Sequence, residues 1–192
     1  MQTRFRWNEL LAVSFTASMS ILTKPYVRAP FAFVQNALGM PVGVFIGGIY
    51  MFWPLLAGVA IRRPGAVMLT CLMQGLVALV TGFTGLLGPA AFFSYLSSGI
   101  VIEGLFFAAR RVRPDGADRI LALVLAGALG NVAGAVTNAC LFFALRGAVF
   151  TVAVASSLIS GAGGGWLAYV VGQRVAGLLR PTARSATEEA VN

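Results

Sequence analysis

A single carboxylate, Glu103, lies well inside an apolar stretch of this 192-residue chain; the other five acids, Glu9, Asp115, Asp118, Glu188 and Glu189, lie near the ends of apolar runs or in a polar tail. Glu103 precedes Arg110, the first of the basic residues closing its run, by seven positions, which at 1.5 Å per helical residue is about 10 Å of depth. A carboxylate that deep in hydrocarbon costs several kcal/mol unless it turns inward and finds a partner. It can then do one of two things, tie helices together or contact a ligand. Few polar side chains could join it. Asn131 and Asn138 are seven residues apart and share a helix face, with Thr137 beside the second. Gln74 sits in the middle of another run, and Ser97 and Ser98 lie more than a turn above Glu103. An amide in hydrocarbon must be satisfied, so each of these points inward, either as a bond between helices or as a ligand contact. Aromatic groups occur at Tyr50, Phe52 and Trp53, at Phe92, Phe93 and Tyr95, and at Trp166 and Tyr169. Most aromatics in such runs face lipid or the interface; Trp53, Tyr95 and Trp166 are the candidates for covering a ligand's face. A flat heteroaromatic molecule held by stacking, a few amides and one carboxylate suits this inventory.

Other chemistry is poorly provided for. The chain has no histidine, which removes imidazole catalysis and histidine metal ligation. Cys71 and Cys140 fall in separate apolar runs, with no CxxC spacing, and read as small core residues. There is no P-loop and no DxxD-type constellation, so nucleotide hydrolysis and membrane phosphotransfer are not expected of this chain. One carboxylate without an activated nucleophile is little from which to build an enzyme. The net charge of +8 does not point to nucleic acid, because the basic residues flank apolar runs instead of forming a solvated face interleaved with aromatics.

The elements that must position these groups are membrane helices. The sequence is 58% hydrophobic and 10% charged, with a mean hydropathy of +0.86, whereas soluble domains carry about 25% charged residues. Runs of about 20 apolar residues predict an all-α integral membrane protein with six transmembrane helices. They cover Trp7 to Thr23, Pro41 to Ile61, Gly65 to Thr81, Pro89 to Ala109, Arg119 to Leu145 and Ala148 to Leu179. The last is long enough to predict tilt or a break near Gly161 to Gly165. The segment Lys24 to Met40, with Pro25 and Pro30, reads as a link too broken to span. Residues 1–180 form one membrane-embedded domain without an internal repeat, and the polar tail 181–192 is expected to be disordered.

Charge sets the orientation. Arg4, Arg6, Arg62, Arg63, Arg110, Arg111, Arg113, Arg119, Arg174, Arg180 and Arg184 fall on one side of this map, and only Lys24, Arg28 and Arg146 on the other. That asymmetry predicts both termini in the cytoplasm of a bacterial inner-membrane protein. On the first helix Ala12, Thr16 and Ser20 recur every four residues, a small-residue stripe suited to docking another helix, within the bundle or on a partner.

Four stretches also carry a resemblance. IRRPGA (Ile61 to Ala66), the run from Gly99 through Glu103 to AARR (Ala108 to Arg111), LAGALGNVAGAVTN (Leu125 to Asn138) and LISGAGGG (Leu158 to Gly165) resemble the substrate-binding S components of energy-coupling factor vitamin importers, the YkoE-type thiamine-related group in particular. The resemblance implies a six-helix, non-catalytic subunit that captures a vitamin at the outer face. It implies delivery through a transmembrane coupling protein and two ATPases, with Ala12, Thr16 and Ser20 as the docking face and Lys24 to Met40 as a lid. The thiamine-related pattern places acids in the third helix and the outer fifth helix, where this chain has Cys71 or Ala78 and Asn138. Thiamine or its hydroxymethylpyrimidine moiety is the ligand implied, and the lost acids favour the neutral pyrimidine or another vitamin-like molecule. The expected site is Glu103, Asn138, Asn131 and Gln74 along one edge of the ring, with Trp53, Tyr95 or Trp166 over its face. The rival reading is a structural membrane subunit in which Glu103, Asn131 and Asn138 only hold helices together.

Overall fold

The computed structural model describes residues 5–38, 43–83, 88–89, 91–113, 116, 119–143 and 146–179. They form helices α1 (Trp7–Leu38), α2 (Gly43–Ile61), α3 (Ala66–Thr81), α4 (Ala91–Val112), α5 (Ile120–Asn138) and α6 (Gly147–Leu179), and a π-helical turn, Ala139–Phe143, prolongs α5. Four contain stretches long and apolar enough to cross a bilayer: Trp7–Val27, Ala91–Val112, Ile120–Leu141 and Gly147–Val175; α2 and α3 contribute the shorter apolar helices Phe45–Ile61 and Ala66–Thr81. The chain is an all-α, multi-pass membrane protein.

Large apolar side chains face outward, as lipid solvation permits: Leu11, Phe15, Ile100, Phe107, Leu121 and Ile159 are all exposed on the bundle. The interior is filled by Met51, Leu55 and Val59 of α2, Val67 and Cys71 of α3, Ile102 and Phe106 of α4, and Leu123 and Ala126 of α5, with Ala168 of α6. The tight turn between α2 and α3 explains the Arg62-Arg63-Pro64-Gly65 run. Arg62 adopts φ 55° and Gly65 φ 86°, and the Arg62 amide donates to the Gly58 carbonyl at 3.1 Å to close α2.

Two sequence expectations are corrected here. The segment from Lys24 onward is not a broken link, because α1 runs unbroken to Leu38 with Pro25 and Pro30 inside it. Each proline removes one backbone hydrogen bond, a loss that membrane helices tolerate when their surroundings re-satisfy the freed carbonyls. Nor does α6 break at its glycines; it is helical from Gly147 to Leu179. Those glycines provide close approach instead. A side chain at Gly161 would overlap the backbone of Gly127 on α5, one at Gly164 the backbone of Gly48 on α2, and one at Gly165 the backbone of Leu123. In lipid, such contact replaces the hydrophobic drive that packs soluble helices. The tail 181–192 and residues 39–40 of the expected link lie outside the described residues.

Candidate functional site

The two ends of the bundle differ in chemistry. At the end marked by the α2–α3 turn, Glu9 of α1 pairs with Arg63 at 2.8 Å and accepts from the backbone of Arg6 at 2.8 Å. Glu103 of α4 reaches the start of α3. Its Oε1 accepts from the Gly65 amide at 2.6 Å, and its Oε2 accepts from Val67 at 3.2 Å and Met68 at 3.3 Å. The first turn of a helix has amides without intrahelical partners and carries the positive end of the helix dipole. Gly65, in the cap position of α3, provides no side chain for them, so the carboxylate of a neighbouring helix does. Arg110 lies 4.0 Å from the same carboxylate and stacks near the Phe106 ring. These bonds tie α4 to α3, the first of the two roles open to Glu103. The structure does not bring it together with Asn138.

The opposite end gathers a different set. Lys24 of α1 lies over two tyrosine rings, 4.5 Å from the centroid of Tyr95 on α4 and 5.5 Å from that of Tyr50 on α2. Tyr95 is buried against Ile21, Ala78 and Ala91. One turn from Ala78 on the same buried face of α3 is Gln74, wholly enclosed. Both polar atoms of its amide, and the hydroxyl of buried Ser20 next to Ile21, have no hydrogen-bond partner. A buried amide that bonds nothing is costly. Gln74 therefore differs from the other predicted amides.

Asn131, also buried, donates to the Ser157 carbonyl of α6 at 2.9 Å and fills the space that Gly47 and Gly161 leave open, which makes it the tie of α2, α5 and α6. Asn138 accepts from the hydroxyl of Ser94 on α4, and one residue away Thr137 bonds the Ser97 hydroxyl at 2.9 Å, so a polar seam joins α4 to α5. Trp53 stands half-buried in α2 with its ring 5.1 Å from Phe52, edge to face. Trp166 is 54% exposed on the outside of α6. Its neighbour Gly165 meets Leu123 near the start of α5, far along the bundle from Tyr95. Trp166 is thus corrected as a ring-covering residue, because the small residues of α6 take the inward face and leave the indole to lipid.

The stripe on α1 is corrected in the same way. Thr16 and Ser20 are buried within the chain's own bundle and Ala12 is half-buried; Thr16 returns its hydroxyl to the Ala12 and Val13 carbonyls. A helix packs its small residues where another helix comes close, and here that helix belongs to the same chain. The face of α1 left outward is Trp7, Leu11, Phe15, Leu22 and Tyr26.

The model of the family described as ABC-type cobalt transport system, permease component, matches residues 9–133. The chain belongs to that family. The fold of this permease-component protein is similar to that of a solved structure described as the crystal structure of an S-component of ECF transporter, with a TM-score of 0.63 and 22% identity over 92% of this chain and 86% of that one. No curated protein matches the sequence.

Three features of this permease component escaped the sequence reading. Lys24 read as a loop charge because the prolines that follow hid the continuation of α1. Ser94 carries no signal of its own, and only its partner Asn138 marks the seam. Tyr50 was visible as an aromatic but not distinguishable from its lipid-facing neighbours.

Proposed function

We propose that the chain is the substrate-capture subunit of an energy-coupling factor importer, binding a vitamin or vitamin precursor in the bundle end around Lys24, Tyr50, Tyr95 and Gln74. The observation that carries this reading is Gln74, a fully buried amide with neither polar atom bonded, one turn along α3 from Ala78, which packs with Tyr95. A structural subunit would have no use for it, since Asn131 and Glu103 already supply the bonds between helices. The family membership and the S-component-like fold support a transport role. Asn138 and its seam stand on the α4–α5 side, and the stretch of α1 beyond Lys24 serves as the cover.

In this reading all six helices span the bacterial inner membrane with both termini in the cytoplasm, and the Lys24 end faces outward. The chain performs no catalysis; a transmembrane coupling protein and two ATPases supply energy. The outward apolar face of α1 replaces the buried stripe as its docking surface. Thiamine or its hydroxymethylpyrimidine moiety is the ligand suggested by the sequence resemblance.

Cobalt, named in the family description, is the second reading. Cobalt sites draw on imidazole, thiolate or carboxylate donors, and this chain has no histidine. Among the described residues no group of three or more metal-ligating side chains comes together. The donor set thus favours an organic ligand.

The test is uptake of labelled vitamins in a host lacking its own route, with the chain expressed alone and with its coupling protein and ATPases. Uptake should require all the subunits. Accumulation of Co²⁺ but of no vitamin would reverse the choice of cargo. Orientation is checked separately by a reporter fused after Asn192, which should be active only on the cytoplasmic side; activity only outside would overturn the topology.

A further inference from the structure

The two adjacent arginines near the end of α4 face different ways. Arg110 turns inward, near the Phe106 ring and 4.0 Å from Glu103. Arg111 is exposed, and its guanidinium lies 4.5 Å from the centroid of Phe107, a ring that is itself exposed on the outside of the bundle. Residues three, four and seven apart on a helix share a face, and the same outward face of α4 carries Ile100 and Gly104. A side chain at Gly104 would meet nothing within 4 Å. The glycine therefore leaves a shallow notch between the exposed side chains of Ile100 and Phe107, in line with Arg111.

This strip joins two chemistries. An arginine stem lies along apolar surface while its head reaches the polar boundary, and its planar fork pairs with phosphate oxygens through two hydrogen bonds. Stacking on Phe107 orients the fork before anything binds, which lowers the cost of ordering it. The described acids of this end are engaged elsewhere, Glu9 with Arg63 and Glu103 with the start of α3. Across the connection from α4 to α5, Arg110, Arg111, Arg113 and Arg119 outnumber Asp115 and Asp118, so the surroundings favour an anion. A free anion would use the fork alone. An amphiphile with a phosphate head uses the fork and the notch together.

We propose that the outward strip Ile100, Gly104, Phe107 and Arg111 binds an anionic phospholipid, with the headgroup phosphate on Arg111 and one acyl chain over Gly104. A basic residue at an anionic membrane surface typically strengthens association about fivefold, and a pre-oriented paired contact adds to that. The site is separate from the Lys24 end and does not depend on which ligand is captured there.

The purified full-length chain in a non-ionic detergent is titrated with dioleoylphosphatidylglycerol, dioleoylphosphatidylcholine and free glycerol phosphate, and bound lipid is counted by native mass spectrometry. The anionic lipid should bind about tenfold more tightly than the zwitterionic one, and glycerol phosphate should not displace it. Arg111→Gln should bring the two lipids within roughly threefold of each other, and Gly104→Leu, which fills the notch, should weaken both by about threefold or more. Arg174→Gln, at another exposed arginine close to where α6 meets Val59 of α2, should leave the preference intact. All three positions are exposed, so the variants should elute as the unaltered chain does. Retention of neither lipid, equal affinity for both, displacement by glycerol phosphate, or an unchanged preference in Arg111→Gln would overturn the proposal. So would an equal loss in Arg174→Gln, which would mark a general attraction to the basic end, or unaltered binding by Gly104→Leu, which would remove the acyl seat.

Discussion

Replacing Gly164 with leucine should prevent the bundle from assembling, whereas Gly163→Leu, one residue earlier, should leave it intact. A Cβ at Gly164 would collide with the Gly48 backbone, the Gly48 carbonyl carbon and Cα lying 2.7 and 2.9 Å from it, while at Gly163 nothing lies within 4 Å. Overpacking a core with side chains typically costs about 1–3 kcal/mol. Here the obstacle is backbone on both sides, so no rotamer change relieves it and α2 must move away from α6. That movement would also pull Gly48 from the Ser160 hydroxyl, to which its amide donates at 2.9 Å. Size-exclusion profiles of fluorescently tagged variants measure the outcome. A monodisperse Gly164→Leu peak at the unaltered yield would show that the α2–α6 contact is looser than described.

The second large effect belongs to Glu103. Glu103→Ala leaves the amides of Gly65, Val67 and Met68 without their acceptor and Arg110 without its counter-charge. Hydrogen bonds to a charged group contribute about 1.5–3 kcal/mol each, and water reaching this end of the helix recovers part of the loss. A net destabilisation of about 3 kcal/mol corresponds to a Tm lower by roughly 6–12 °C for a chain of this size. Glu103→Gln keeps one acceptor oxygen and should fall between. Ligand affinity at the Lys24 end should change by less than about threefold, because the broken hydrogen bonds are at the start of α3, and Glu103 lies eight positions along α4 from Tyr95. Thermal unfolding in detergent, paired with ligand titration, checks both halves. A Glu103→Gln protein with unaltered Tm and weakened binding would restore the carboxylate to the ligand site.

The contrast between Glu103 as read from sequence and as found shows where legibility stops. Its inward orientation follows from the energetics of charge in lipid, and so did the alternative that it ties helices. Its partners are backbone amides of α3, and a backbone amide leaves no trace in residue types. The helix map was readable to within a few residues for α2, α3 and α4 because prolines, glycines and arginines punctuate their ends. It failed for α1, where proline signals a stop in water but not in a packed membrane helix. The small stripe Ala12, Thr16, Ser20 was legible as small residues at helical spacing, but spacing alone cannot say whose helix such a stripe contacts. Gln74 and Tyr95 were visible as types. Their grouping with Lys24 required α1 and α3, which run parallel, and the antiparallel α4 to be set in register.

The capture reading is tested most directly by equilibrium titration of the purified chain, without ATP or partner subunits, against a panel of vitamins, their precursors and Co²⁺. One organic ligand should bind at a single saturable site with a Kd below about 1 μM, which is more than about 8.2 kcal/mol of binding free energy. Tyr95→Ala should abolish that binding without altering the elution profile. Saturable binding of none of the vitamins or precursors would contradict the account and leave the chain as a structural subunit.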